Sequence, residues 1–352
     1  MTDRATELLM RPAAQSVRLI AQGYLDTATR ALERTGNPED ALALHDFRVA
    51  LRRLRTTLRA YQPLLEDGVR RKPGKILGDI ADATNRVREA EAALEWLRPL
   101  ATGMTPGERV GLHWLIERIE QRRVQDQERC LAEVHRSFPA ATRKLRKGLV
   151  AYRQTVGTEP SATDVPFAGV AHAAALEQAR QLDQLLGEVH KSDDEAAHRA
   201  RIAGKRLRYV LEPVVAAWPG GGALIERLKA IQDLLGELHD LQELEASLRA
   251  AVGAAAAERA GELLDAALTE AQPVGRPPRR RGRHSGLVAI GQRMRLRQTE
   301  LFTELQRDWL GNKRTWTKDV AALLPAIAPV PEVVPVPVAA PDVRRWRARR
   351  PG

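Results

Sequence analysis

Residues Leu44–Tyr61, LHDFRVALRRLRTTLRAY, set His45, Arg48, Arg52, Arg55 and Arg59 at alternating spacings of three and four. At 100° per residue these five fall within about 80° of one another on a helical wheel. The stretch AHRARIAGKRLRYVLEP, from Ala197, puts His198, Arg201, Lys205 and Arg208 on the same edge 153 positions later. Successive members of each stripe rise by about 5 Å along the helix. This is the chemistry of holding an anion rather than of making or breaking bonds. Arginine grips phosphate oxygens two at a time with a planar fork, lysine acts as a point charge, and histidine can add charge when an anion is near.

The helices that carry the stripes must be amphipathic. Phe47, Leu51, Leu54, Leu58 and Tyr61 form a second stripe about a quarter-turn from the first, and Leu207 and Leu211 sit on the core side of the second helix. Like charges three or four residues apart repel by roughly 0.2–0.5 kcal/mol each, so the first stripe carries on the order of 1–2 kcal/mol of self-repulsion. A merely solvated face avoids that by interspersing acids, as GERVGLHWLIERIEQRRVQDQERC does. The duplicated, acid-free edge therefore reads as a binding surface. Facing each other, the two stripes would line one groove with about nine cationic groups.

Almost every segment between Pro12 and Pro325 has apolar residues at three- and four-residue spacing in an Ala/Leu/Arg/Glu background, which predicts an all-α chain. Breakers at 33–40, 64–74, 101–108, 157–167, 191–195 and 217–223 divide it into helices of roughly 20–30 residues with short connections, hence bundles. The helices after the two basic ones also match. ILGDIADATNRVREAEAAL (76–94) aligns with RLKAIQDLLGELHDLQELE (227–245), pairing Ile80 with Ile231, Asp82 with Asp233 and Arg88-Glu89 with His239-Asp240. Two related four-helix units about a pseudo-twofold axis are expected, at 10–156 and 166–325. A mobile basic loop is expected at 272–286, and a Pro-rich linker with an Arg-rich tail at 326–352.

Composition bounds the rest. The 352 residues hold 56 Lys+Arg against 45 Asp+Glu, a net charge of +11, which favours a polyanionic partner. Cys130 alone allows neither a disulfide framework nor a thiolate zinc site, and a reducing cytoplasm fits. The N-terminus lacks a signal peptide's apolar core, and no run approaches the ~20 apolar residues of a membrane span.

Taken together, HDFRVALRRLR and HRARIAGKRLRY, followed by ATNRVRE (83–89) and LLGELHD (234–240), resemble the CHAD domain, the conserved histidine α-helical domain, over about residues 10–325. The resemblance implies two four-helix bundles whose basic surface binds inorganic polyphosphate, and association with polyphosphate granules. Carried over by position, it points to His45, Arg48, Arg52, Arg53 and Arg55, and to His198, Arg201, Lys205, Arg206 and Arg208. Arg53 and Arg206 enter by resemblance, since both lie off the wheel stripe. The first half departs from the second at Asn85 for Gly236 and Glu89 for Asp240. The Glu-x-Glu-x-Lys signature of the triphosphate-tunnel module that accompanies many relatives is missing. EAEAA (89–93) and ELEAS (243–247) lack the lysine, so no triphosphatase activity is expected.

Three rival readings stand beside this one. A carboxylate-bridged di-iron site could use Glu195 and His198, but a second Glu-x-x-His is missing. A sequence-independent nucleic-acid binder fits the charge, yet only 4% of residues are aromatic, which leaves few platforms for stacking bases. A granule-surface scaffold could use Trp346 in the tail, whereas Trp309 and Trp316 read as packing. The expectation is a non-catalytic, cytoplasmic polyphosphate-binding protein without metal or cofactor, with weak nonspecific nucleic-acid binding as a side activity. Oligomeric state is left open.

Overall fold

Proline precedes both of the helices that lead up to the stripes. Pro12 stands before α2 (Ala13–Arg34) and Pro166 before α6 (Phe167–Glu188). Proline fixes its own backbone and lacks an N–H, so it favours the beginning of a helix over its interior. The two helix starts meet in an antiparallel bridge. Ala13 donates its N–H to the Val165 carbonyl at 2.9 Å, and Phe167 donates to the Arg11 carbonyl at 2.9 Å.

The computed structural model describes residues 2–37, 39–40, 42–66, 69, 71–150, 165–190, 194–269 and 283–323. Nearly all of these are helical, and no strand occurs among the described residues beyond that single bridge. A short α1 (Thr2–Met10), unforeseen in the sequence, buries Ala5, Leu8 and Leu9 against α6 and the turn at Val215–Ala217. Four helices follow it: α2, α3 (Ala43–Ala60), α4 (Arg71–Leu97) and α5 (Pro106–Val150). Four more run from α6 through α7 (Asp194–Leu211) and α8 (Gly221–Thr269) to α9 (Arg283–Asp308), and α10 (Trp316–Ala322) closes the described chain. Among the described residues no helix is long and apolar enough to cross a membrane.

Helices adjacent in sequence pack as pairs, α2 on α3, α4 on α5, α6 on α7 and α8 on α9. Across the middle α3 touches α7, α4 touches α8, and α5 packs along α9. The buried apolar side chains of α1 to α10 make one connected cluster, so the eight long helices share a core. Phe47 of α3 meets Phe138 of α5 edge to face at 5.1 Å, with both rings buried. The α5–α9 crossing is close enough to demand glycine. A Cβ on Gly111 would run into the Arg283 carbonyl, and one on Gly286 into the Glu108 carbonyl.

Two helices exceed the expected 20–30 residues: α5 has 45 and α8 has 49. Pro139 lies inside α5 without ending it. A mid-helix proline removes one hydrogen bond. Val134, Phe138, Ala141, Leu145 and Leu149 are buried on both sides of it, and that burial carries the helix through. The basic loop expected at 272–286 is shorter at its C-terminal end, because Arg283–Gly286 already form the first turn of α9. Its remainder, and the linker and tail at 326–352, lie outside the described residues.

A latch holds the last helix. Asp183 of α6 accepts from the backbone N–H of Trp316 and Thr317, at 3.2 and 2.8 Å, and so caps α10 from another helix. Trp316 is fully buried and stacks on Trp309 at 5.9 Å, with the Arg227 guanidinium 4.3 Å from its ring centroid. Both tryptophans are packing residues.

Candidate functional site

The α3–α7 and α4–α8 contacts bring the two basic edges together. Arg48 on α3 and Arg201 on α7 hold corresponding places and are each only 7% exposed. Arg48 donates to Glu91 of α4 at 3.0 Å. Arg201 has no such pairing, and its Nε lacks a hydrogen-bond partner among the described residues. Arg52, partly buried, reaches across to the Tyr209 hydroxyl of α7 at 3.5 Å.

Lys205 shows how closely the cations crowd. Burial first, then the charges of Arg201, Arg52 and Arg88, push its ammonium down to about 5, with only Asp240 opposing. Arg52 comes from α3 and Arg88 from α4, so groups from both halves of the chain act on one lysine. The same causes hold Arg201 down to about 10, burial leading and Arg88 next. Arginine keeps its proton in proteins, so this records electrostatic stress rather than neutralisation. Arg48 and Arg55 are lowered as well, each chiefly by burial, with Glu91 opposing for the first and Asp82 for the second.

Histidines complete the cluster. His198 of α7 and His239 of α8 stand ring to ring, centroids 4.5 Å apart, with Nδ1 to Nδ1 at 3.3 Å. His198 is depressed to about 4 by burial and by Arg201 and Lys205. His239 is depressed to about 3 by burial and then by Arg201, His198, Arg88 and Lys205. His239 reads from sequence as a structural or surface residue, and the structure sets it, partly buried, against His198 within the cationic cluster. The signal was present in the alignment of Arg88-Glu89 with His239-Asp240, which sets one cationic or protonatable residue at the same place in each half.

The edge is acid-free only along its own helices. Neighbouring segments supply three counter-charges: Glu91 of α4 to Arg48, Glu212 just past the end of α7 to Arg53 at 2.8 Å, and Asp240 of α8 to Arg88 through two bonds of 2.8 and 2.7 Å. The repulsion reckoned for an isolated helix is therefore partly relieved within the fold. Glu212 also lies 3.5 Å from Arg208, whose guanidinium sits 5.0 Å from the Tyr209 ring centroid. For Arg53, burial works against the charge, and the bond and charge of Glu212 outweigh it.

The structure thus gathers Arg48, Arg52, Arg201, Lys205 and His198, all expected from sequence, with Arg88, His239 and Tyr209, which were not. Arg53 and Arg208 lie beside them around Glu212. Arg206 is held down to about 10 by burial and by the charge of Arg59, and so faces the far end of α3. His45 and Arg59 are exposed near the two ends of α3, outside the crowded centre. Gly78 of α4 clears space for the Arg55 guanidinium, since a Cβ there would come within 3.4 Å of it. Among the described residues no three His, Cys, Asp or Glu side chains group as metal ligands.

A family model described as CHAD domain matches residues 19–249, from within α2 to within α8, more than half of the chain. The crystal structure of the CHAD domain from the plant Ricinus communis superimposes with a TM-score of 0.57 at 16% identity, covering 89% of this chain and 93% of that one. PptA from Streptomyces chartreusis superimposes with a TM-score of 0.58 at 16% identity, covering 88% of this chain and 99% of that one. At such identity the likeness is one of fold. Comparison with curated proteins finds no significant match. With the matched span running through both basic helices and the all-α fold shared with these structures, the chain belongs to the CHAD domain family.

Proposed function

We propose that the protein binds inorganic polyphosphate without catalysis, in the cationic centre formed by α3 and α7 with α4 and α8. The observation that carries this reading is the convergence on Lys205: Arg52 and Arg88 from the first half and Arg201 from the second all act on it, against Asp240 alone. A cluster crowded at that electrostatic disadvantage is stabilised by an incoming polyanion. A flexible phosphate chain meets cations spaced about 5 Å apart along a helix at intervals of a phosphate or two. On this reading His45, Arg48, Arg52, Arg53, Arg55, Arg59, His198, Arg201, Lys205, Arg206 and Arg208 form the binding surface, the central members holding the chain and the outer ones guiding it in. The units 10–156 and 166–325 act as the two walls. The polyphosphate association that the resemblance to the family implies extends the proposal to polyphosphate granules in the cytoplasm.

Calorimetric titration of long-chain polyphosphate, in competition with a DNA oligonucleotide, tests it. A variant with Arg48, Arg52, Arg201 and Lys205 changed to alanine should bind at least about a hundredfold more weakly, since hydrogen bonds to charged groups contribute roughly 1.5–3 kcal/mol each. It should also lose its preference over DNA while keeping its helical circular dichroism. Undiminished binding by that folded variant would sink the proposal.

A further inference from the structure

The centre of the site contains groups that can change their charge, and their placement has a consequence for how an anion binds. His198 and His239 face each other with Nδ1 atoms 3.3 Å apart. One proton can lie between those two nitrogens, and a second would set N–H against N–H. The groups around the pair and the neighbouring Lys205 come from four helices: Arg52 from α3, Arg88 from α4, Arg201 from α7, and Asp240 from α8, the pair itself facing Arg88, Arg201 and Lys205. Asp240 spends both carboxylate oxygens on Arg88. Three arginines around one lysine, with one committed carboxylate, leave the cluster little means of holding further positive charge.

We propose that polyphosphate binds in this cluster together with protons, so that Lys205 and the His198–His239 pair are proton-accepting binding residues and affinity falls as pH rises. The inference rests on the polyphosphate reading above and adds the regulation of that site.

The sign follows from the surroundings. In the free protein burial and neighbouring cations hold Lys205 at about 5 and the two histidines at about 4 and 3, so at neutral pH all three are largely deprotonated. A phosphate chain brings negative charge to each and favours its protonated form. Protons are therefore taken up on binding at any pH that lies above the free values and below the bound ones. Affinity falls about tenfold per pH unit for each proton taken up.

The test is calorimetric titration of the full chain with long-chain polyphosphate at pH 7, in two non-phosphate buffers of different ionisation enthalpy. Long chains keep the titratable terminal phosphates few. The dependence of the observed heat on buffer gives the number of protons taken up, expected to be on the order of one or more. Lys205→Arg keeps the charge without titrating, so it should take up about one proton fewer and bind with a flatter pH profile between pH 6 and 9. His239→Asn is the second variant and should lose the histidine pair's share of the uptake, and the two substitutions together should lose most of it. Binding by the unaltered protein with no proton uptake and a flat profile overturns this inference and leaves the polyphosphate reading standing. Absence of binding heat overturns both. Uptake undiminished in each variant also overturns it, because the protons would then land elsewhere.

Discussion

The two basic helices carry corresponding residues and do different electrostatic work. On α3 the cations have counter-charges close by: Arg48 has Glu91, Arg53 has Glu212, and Arg55 has Asp82 and Asp79 near it. The ends of that stripe, His45 and Arg59, reach solvent. On α7 the corresponding centre is Arg201 over Lys205, with Asp240 already taken by Arg88. The backs of the helices differ too. Leu51 fills the core behind α3, whereas α7 has Gly204, beside the buried Gln232 whose amide lacks a partner among the described residues. A repeated motif thus fixes where cations stand but not how far each is neutralised, which is set by helices packed against it.

The comparison can be broken most visibly by salt. With about eight phosphates engaged and a slope near −0.7 per contact, affinity should drop on the order of a thousandfold between 50 and 200 mM salt. Removing Arg48 with Arg52, or instead Arg201 with Arg208, should flatten the slope by about 1.4 in either case, as two contacts require. A slope unmoved by one of these pairs would show that only one helix touches the chain.

Stability against pH sharpens the contrast in the opposite direction. Lys205 and both histidines have folded values below their unfolded ones, so the unfolded chain binds more protons between those limits and free-protein stability rises with pH. For the histidines the rise runs from about 3 to the ordinary value of 6.5, and for Lys205 from about 5 to 10.5. Thermal melts of the free protein should shift upward from pH 6 to 9, while polyphosphate affinity declines over the same interval. Melts that shift downward would contradict the crowding assigned to α7.

Smaller effects separate corresponding residues. Arg201→Met removes a buried, stressed cation and should raise stability by about 1 kcal/mol, read from the urea midpoint. Arg48→Met gives up its pairing with the exposed Glu91 and should change stability by less than about 0.5 kcal/mol. Gly78→Ala presses a methyl toward the Arg55 guanidinium and should weaken polyphosphate binding less than about twofold, under roughly 0.4 kcal/mol, with helicity retained. An equal response at Arg48 and Arg201 would remove the distinction between the helices.

Much of this was legible in the residues. The three- and four-residue periodicity gives the helices, and the wheel finds Arg48, Arg52, Arg201 and Lys205 because those spacings belong to a single helix. A wheel sees one helix at a time. It therefore missed Arg88 and His239, which arrive from α4 and α8, and it missed the counter-charges of Glu91, Glu212 and Asp240. Expected helix extents failed in α5, which runs past 20–30 residues because burial on both sides carries it through Pro139. They failed again where Arg283–Gly286, read as loop, is held by the close glycine crossing of α5 and α9.

The bridge between Pro12 and Pro166 gives the molecule a seam. Its two hydrogen bonds are reciprocal, each side of the bridge donating to the other. The α3–α7, α4–α8 and α5–α9 contacts lie along the same seam. Covalent continuity through residues 151–164 is then dispensable for assembly: two polypeptides ending and beginning there, produced together, should find each other and copurify as one complementing pair. Such a pair would let either wall of the site be replaced independently of the other.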